Sequence, residues 1–159
     1  MSFQRIVGFV KDRLGTDAPA DQGDTKERTI RLATIAALLE IAYADESLTL
    51  KEERALLEHA REMFGLDEDE TRELIEAADE IRRGTIDHWS LTSLLRKNCT
   101  LEERIRIVKS MWRIVYSDDR LHEYEGYLVR KLADLLGLEH HVMINAKLEV
   151  QKEIGWQSA

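Results

Sequence analysis

The stretch MWRIVYSDDRLHEYEGYLVRKLADLLGL, residues 111–138, decides the fold, because it joins two amphipathic segments through an acidic turn. On both sides of the SDD triplet, apolar residues recur every three or four positions, which is the spacing of one helical face. Gly137 follows the second segment, and glycine commonly stands just beyond the end of a helix. The stretch therefore predicts a helical hairpin with carboxylates at its connection.

The same pattern occurs earlier in the chain, at YADESLTLKEE in residues 43–53. At an offset of 73 residues, Asp45 matches Asp118 and Glu52 matches Glu125. After one gap the match continues at an offset of 72, as far as a shared Gly-Leu pair. Neither hairpin can bury its apolar face alone, so we expect the two to pack together about a pseudo-twofold axis.

Helical signals continue through the rest of the chain from Thr25 onward. Capping boxes, in which a Thr and a Glu three residues later satisfy free backbone N–H groups, are predicted for Thr49 with Glu52 and for Thr100 with Glu103. No segment alternates apolar and polar residues with the period of a strand. We predict an all-α fold: a bundle of seven to eight helices built from two pseudo-symmetric helical-hairpin repeats, in a domain spanning residues 25–159.

Residues 1–24 are predicted to form an N-terminal amphipathic helix followed by a linker, since the only proline and two glycines fall within residues 15–24. Docking of this helix on the protein's own core is favoured. Peripheral membrane contact through Arg5, Lys11 and Arg13 is the alternative. No apolar stretch approaches the roughly 20 residues of a membrane helix, so no transmembrane segment is predicted.

The composition narrows the classes of partner. The formal net charge of −8 disfavours nucleic acid, whose phosphates require a basic face. An acidic surface suits either a cation or a protein partner with a basic surface. The single cysteine, Cys99, permits no intramolecular disulfide, and this favours a reducing, cytoplasmic location. The sequence does not indicate an oligomeric state.

No arrangement of residues indicates catalysis. The five histidines form no HExxH pattern, and no nucleophile is paired with a base in a known motif. Cys99 is predicted to be a small half-buried apolar residue, and Trp89, Trp112 and Trp156 are predicted to be packing residues. The chain is therefore not expected to be an enzyme.

Four carboxylates form the candidate site. Asp45 and Glu52 flank the first acidic turn, and Asp118 and Glu125 flank the second. A tight reversal of the chain brings such a pair together, and oxygen-only ligands suit hard cations such as calcium or magnesium. The spacing is not that of an EF-hand, because that loop requires a glycine at its sixth position and a glutamate at its twelfth.

Helix capping is the alternative explanation of these residues. Thr49 accounts for Glu52 through a capping box. Three residues before Glu125 stands His122, which is a poor cap. Capping therefore explains the second glutamate less well than the first, and the second turn is the better candidate for a cation site.

The stretches LLEIAYADESLTLKEE, residues 38–53, and MWRIVYSDDRLHEYEGYLVRKLADLLGL resemble the TerB-like family, which is named for a tellurite-resistance protein. The resemblance runs from about Ile30 to Lys147 and is nearest to the small stand-alone proteobacterial members. The N-terminal domain of a membrane-anchored DnaJ-type co-chaperone looks like a relative of the same fold. The resemblance implies an all-helical domain of two hairpin repeats, associated with resistance to tellurite and other stresses.

The resemblance also implies a cation-binding role for the acidic residues. The family's Asp falls on Asp45 and Asp118, and its Glu falls on Glu52 and Glu125. One departure is that the glycine usual directly after the Asp is replaced by Glu46 in the first copy and by Asp119 in the second.

Two functions are therefore expected from the sequence. The first is a non-enzymatic, stress-associated module that binds a divalent cation at its acidic inter-helix turns. The alternative is a co-chaperone-like interaction module that uses an acidic surface without metal to meet a basic partner.

Overall fold

The structure of the protein, a computed structural model, describes residues 22–44, 50–84, 88–117 and 123–155. The predicted all-α fold is confirmed, since these four ranges contain seven helices and no strand. The predicted N-terminal helix lies outside them. The first described helix begins at Gln22, within the segment predicted to be a linker. The helices are α1 (Gln22–Ala42), α2 (Leu50–Phe64), α3 (Glu68–Arg83), α4 (His88–Asn98), α5 (Leu101–Val115), α6 (Glu123–Leu135) and α7 (His140–Ile154).

Helix α1 runs through the middle of the bundle. Residues 32–39 are each at most 1% exposed, and α1 packs against α2, α3, α4, α5 and α6. Residues 32–39 are therefore interior on every side, as expected for a helical segment that is apolar all round. The hydroxyl of Thr34, buried in this run, donates to the carbonyl oxygen of Ile30 over 2.8 Å, which satisfies it within the helix.

Helix α5 is the second inner helix, and it packs against α1, α2, α6 and α7. Its predicted capping box is present: Glu103 N–H donates to Thr100 Oγ1 over 3.2 Å, and Thr100 N–H donates to Glu103 Oε1 over 3.1 Å. Near its end, the buried Trp112 ring stacks on Tyr116 with a centroid separation of 6.0 Å. Gln151 of α7 donates to the Tyr116 hydroxyl over 2.8 Å, which ties α7 to α5.

The helices that lead into the two acidic turns end in matching ways. Tyr43 N–H donates to the Leu39 carbonyl over 2.9 Å at the end of α1, and Tyr116 N–H donates to the Trp112 carbonyl over 2.9 Å at the end of α5. In both copies the N–H of the next residue donates to the carbonyl three residues earlier over 3.2 Å, which closes a tighter turn. The backbone therefore enters both turns in the same local conformation.

The helices that leave the acidic turns also end alike. Gly65 after α2 has φ +62°, and Gly137 after α6 has φ +79°. In each copy the N–H of the following leucine donates to the carbonyl five residues earlier, over 3.3 Å in the first and 3.1 Å in the second. Both ends are Schellman motifs, in which glycine adopts the left-handed conformation at little cost.

A third helix extends the correspondence beyond the hairpins. Helix α3 follows the first Gly-Leu pair, and α7 follows the second at nearly the same distance. Helix α3 packs on α1 and α2, as α7 packs on α5 and α6. The order α1–α2–α3 is thus repeated by α5–α6–α7, and α4 is the described helix that stands outside this correspondence.

Replacing Gly137 by Ala should destabilise the protein. The residue would adopt a positive φ, at a cost of about 1–2 kcal/mol, and its Cβ would lie 2.8 Å from Arg96 Nε and 3.1 Å from Arg104 Nη1. Gly126→Ala is the matched control: Gly126 lies inside α6 with no atom within 4 Å of the added Cβ. That substitution should stabilise by about 0.5–1 kcal/mol. Urea unfolding of both variants checks these signs, and equal effects would contradict them.

Candidate functional site

Two glutamates that the sequence predicted as ligands lie in the interior of the bundle. Glu52 is 0% exposed in the first turn of α2, and Glu125 is 1% exposed near the start of α6. Among the residues whose exposure the structure describes, they are the only charged side chains that are buried. Removing a carboxylate from water costs several kcal/mol unless charged or hydrogen-bonding groups compensate it. The two buried carboxylates occupy the same position of the two repeats.

The helical periodicity explains how these carboxylates become buried. On α2 the buried residues are Glu52, Leu56 and Ala60, which are four residues apart and share one face. On α6, Glu125 likewise lies on the same face as the buried Val129. Each glutamate therefore occupies an inward-facing position where an apolar residue would ordinarily stand.

Burial separates Glu52 from an ordinary capping glutamate. Glu103, which forms the capping box of α5, is an exposed residue. Its side chain reaches back along the surface of its own helix to the backbone N–H of Thr100. Capping therefore does not require burial, and the capping box of Glu52 stays a prediction. Thr49, its predicted capping partner, lies outside the described residues.

The remaining predicted ligands, Asp45 and Asp118, also lie outside the described residues. The described chain stops at Ala44 and Ser117 on one side of the two turns and resumes at Leu50 and Glu123 on the other. Among the described residues, no three or more His, Cys, Asp or Glu side chains are grouped so that they could hold a metal ion. The structure thus places the two glutamates, and the pairing of each with its aspartate remains a prediction.

A groove of about 200 Å³ beside the first turn contains further carboxylates, among them Glu53 and Asp79. Asp79 is already neutralised: Arg82 donates to its Oδ1 over 2.9 and 3.0 Å, and Arg83 lies 3.1 Å from its Oδ2. The Arg82 guanidinium also lies 4.2 Å from the centre of the Tyr43 ring, within the range of a cation–π contact. Asp79 is therefore held by arginines and is a poor candidate for a cation ligand.

Cys99 and the tryptophans were predicted to be packing residues, and those that the structure describes differ in their exposure to solvent. Cys99 is buried at 8% exposure, and burial raises the pKa of its thiol, which keeps it in the protonated, weakly nucleophilic form. Trp112 is buried, as predicted. Trp89 is 61% exposed, so packing does not account for most of its surface. Trp156 lies outside the described residues.

The class of protein follows from these features: an all-helical domain with two matched hairpins and a buried glutamate after each acidic turn. A family model described as "Tellurite resistance protein TerB" matches residues 31–148, which is most of the chain. The chain belongs to the TerB family, and the predicted resemblance is confirmed over nearly the same residues. No match was found among curated proteins or among solved structures. Of the described helices, none has the length and apolar character needed to cross a membrane.

Replacing Glu125 by Ala should lower the free energy of unfolding by about 2–4 kcal/mol, because a buried polar group and its surroundings lose their interactions and a cavity remains. Glu102→Ala is the control, since Glu102 is an exposed glutamate in the first turn of α5. That variant should unfold close to the wild type. Urea unfolding monitored by circular dichroism measures both. A Glu125→Ala variant as stable as Glu102→Ala would show that water reaches the Glu125 carboxylate in solution.

Proposed function

We propose that this TerB family member is a non-enzymatic module that binds a divalent cation, calcium or magnesium, at its acidic inter-helix turns. The observation that carries the proposal is the burial of Glu52 and Glu125 at equivalent positions directly after the two turns. Its place in the cell would be a reducing cytoplasm, and its role would belong to resistance against tellurite or related stress.

The physical basis is the cost of the buried carboxylates. A solvent-shielded carboxylate binds a cation more strongly than an exposed one, because fewer water molecules compete and the Coulomb attraction is less screened. Hard divalent cations select carboxylate and carbonyl oxygens. We propose that Asp118 completes the site of Glu125 and that Asp45 completes the site of Glu52. The exposed carboxylates of the surrounding surface would raise the local cation concentration.

The C-terminal ends of α1 and α5 also favour a cation at the two turns. Helices α1 and α5 each precede one of the two turns in sequence, and the last carbonyl groups of a helix carry a partial negative charge. A cation near these carbonyls would be stabilised by them as well as by the carboxylates. In the first copy Arg82 already contacts Tyr43 near this end, so the second turn is the stronger candidate.

Calcium, magnesium or manganese at millimolar concentration should raise the midpoint of thermal unfolding. A ligand that binds only the native state at a hundred times its dissociation constant stabilises by about 2.7 kcal/mol. The Asp118→Asn and Glu125→Gln variants keep the size of the side chain and remove its charge, so they should lose this response. The matched control Glu102→Gln, an exposed first-turn glutamate, should keep it.

Calorimetric titration of the metal-free protein provides the second readout. Binding heat in the wild type that disappears in Glu125→Gln supports the proposal. The absence of both heat and thermal stabilisation at millimolar metal would remove it. An equal loss of response in Glu102→Gln would also contradict it, because the effect would then reflect general surface charge.

A metal-independent interaction module is the second candidate, and the surface of α3 favours it. This helix exposes five carboxylates on its outer side: Glu68, Asp69, Glu70, Glu73 and Glu76. Such a surface would steer a protein partner with a basic surface, in the manner of a co-chaperone. Binding of that partner would persist in a chelator and in Glu125→Gln, and it would weaken when Glu73 and Glu76 are replaced by Gln. The reverse pattern would favour the cation site.

A further inference from the structure

A groove of about 400 Å³ lies between α4 and α6, away from both acidic turns in sequence. Trp89, Ser93 and Lys97 line it from one row of α4, at positions four residues apart. Arg96 and Thr92 complete the α4 side, and α6 contributes Leu135. Trp89 is 61% exposed, so much of its aromatic side chain is open to solvent at the groove.

The aromatic surface is not required by the packing of α4. The buried face of this helix is formed by Ser90, Leu91, Thr92, Leu94 and Leu95. Trp89 points away from that face, and a polar residue there would leave the core unchanged. Helix α4 is also the described helix without a counterpart in the repeat of α1–α2–α3 by α5–α6–α7. An exposed tryptophan at such a position is typical of a recognition surface, since tryptophan is enriched at the energetic centres of protein interfaces.

The charge of the groove is opposite to that of the whole chain. Its lining contains Arg96 and Lys97 and no acidic residue, although the chain carries a formal charge of −8. Across the described part of the chain, neither side chain forms an ion pair with a carboxylate. The exposed Lys131 lies one helical turn before Leu135 on the same side of α6 and adds a third positive charge near the groove.

We propose that the α4–α6 groove binds a short acidic segment of a partner protein that carries one apolar anchor side chain. The anchor would pack against Trp89 and Leu135, and carboxylates beside it would pair with Arg96 and Lys97. Arginine suits bidentate pairing with a carboxylate, and lysine supplies a second point charge. This surface is separate from the proposed cation site and does not depend on it.

A short peptide fits the charge distribution better than an extended polyanion does. Charges interact over a Debye length of about 8–10 Å at physiological salt. A nucleic acid or an anionic membrane would extend past the groove, and the chain as a whole, with its formal charge of −8, would repel it. A segment of a few residues would contact only the basic groove. Discrimination therefore comes from the small size of the positive patch.

The proposal is tested by selecting random twelve-residue peptides from a phage library against the full chain in the presence of a chelator. Selected peptides should be enriched in Asp and Glu around a Trp, Phe or Leu. A fluorescent copy of the best peptide should bind Trp89→Ala and Lys97→Glu at least about tenfold more weakly than the wild type, as expected for the loss of an anchor contact or of a charge pair.

Lys152→Glu is the matched control. Lys97 and Lys152 are both exposed lysines in the last turn of a helix, so the two substitutions change charge in the same local setting. The control should change the affinity less than twofold. Because Trp89 and Lys97 are exposed, both groove variants should retain the wild-type midpoint of thermal unfolding, which confirms that any loss of binding is local.

Two further probes set the outcomes that overturn the proposal. These probes are vesicles of phosphatidylcholine with phosphatidylserine, and a single-stranded oligonucleotide. The binding of each probe to Trp89→Ala, Lys97→Glu and Lys152→Glu is compared with its binding to the wild type. Binding of either probe that depends on Trp89 and Lys97, without acidic peptides in the selection, would assign the groove to a different ligand. Selected peptides without acidic enrichment, or with equal affinity for Lys97→Glu and Lys152→Glu, would also reject the proposal.

Discussion

The architecture depends on the burial of α1 on every side. Its residues 32–39 include Ala33, Ala36 and Ala37, whose small side chains allow neighbouring helices to approach closely. Burying such a run can be achieved only if other helices surround it, and α2, α3, α4, α5 and α6 do so. At about 25 cal/mol for each Å² of apolar surface removed from water, this helix supplies a large share of the driving force for assembly. The hairpin connections then determine which helices pack on each side of α1.

The two buried glutamates follow from that arrangement. Helices α2 and α6 cover the inner helices and turn one face inward, and the first inward position of each is a glutamate. A sequence selected for stability alone would place an apolar residue there, because a buried charge is costly. The buried glutamate found at both equivalent positions supports the proposed cation site. An exposed capping glutamate such as Glu103 carries no such indication, since its position stabilises the helix that contains it.

The sequence predicted those features that depend on local spacing. The all-helical fold, the capping box of α5, the glycine stops and the family could all be derived from the order of residues. The burial of α1 on all sides could not, because periodicity identifies the most apolar face and does not show how many neighbours a helix has. Glu52 was explained through Thr49, yet its spacing from Leu56 and Ala60 was a readable signal of burial. Trp89 is predicted from the sequence to be a packing residue like the other tryptophans, and only the packing of α4 shows that most of its side chain faces outward.

Packing constrains the helices of the two repeats more than it constrains α4, the helix between them. A substitution in α1 or α5 must preserve contacts with several neighbouring helices at once. The backbone hydrogen bonds at the ends of these two helices match in spacing and length. The buried side of α4 consists of Ser90, Leu91, Thr92, Leu94 and Leu95, so its outer face contributes less to packing. Under the two proposals, the cation would bind at the repeated turns, and the acidic protein segment would bind at the helix that stands outside the repeat.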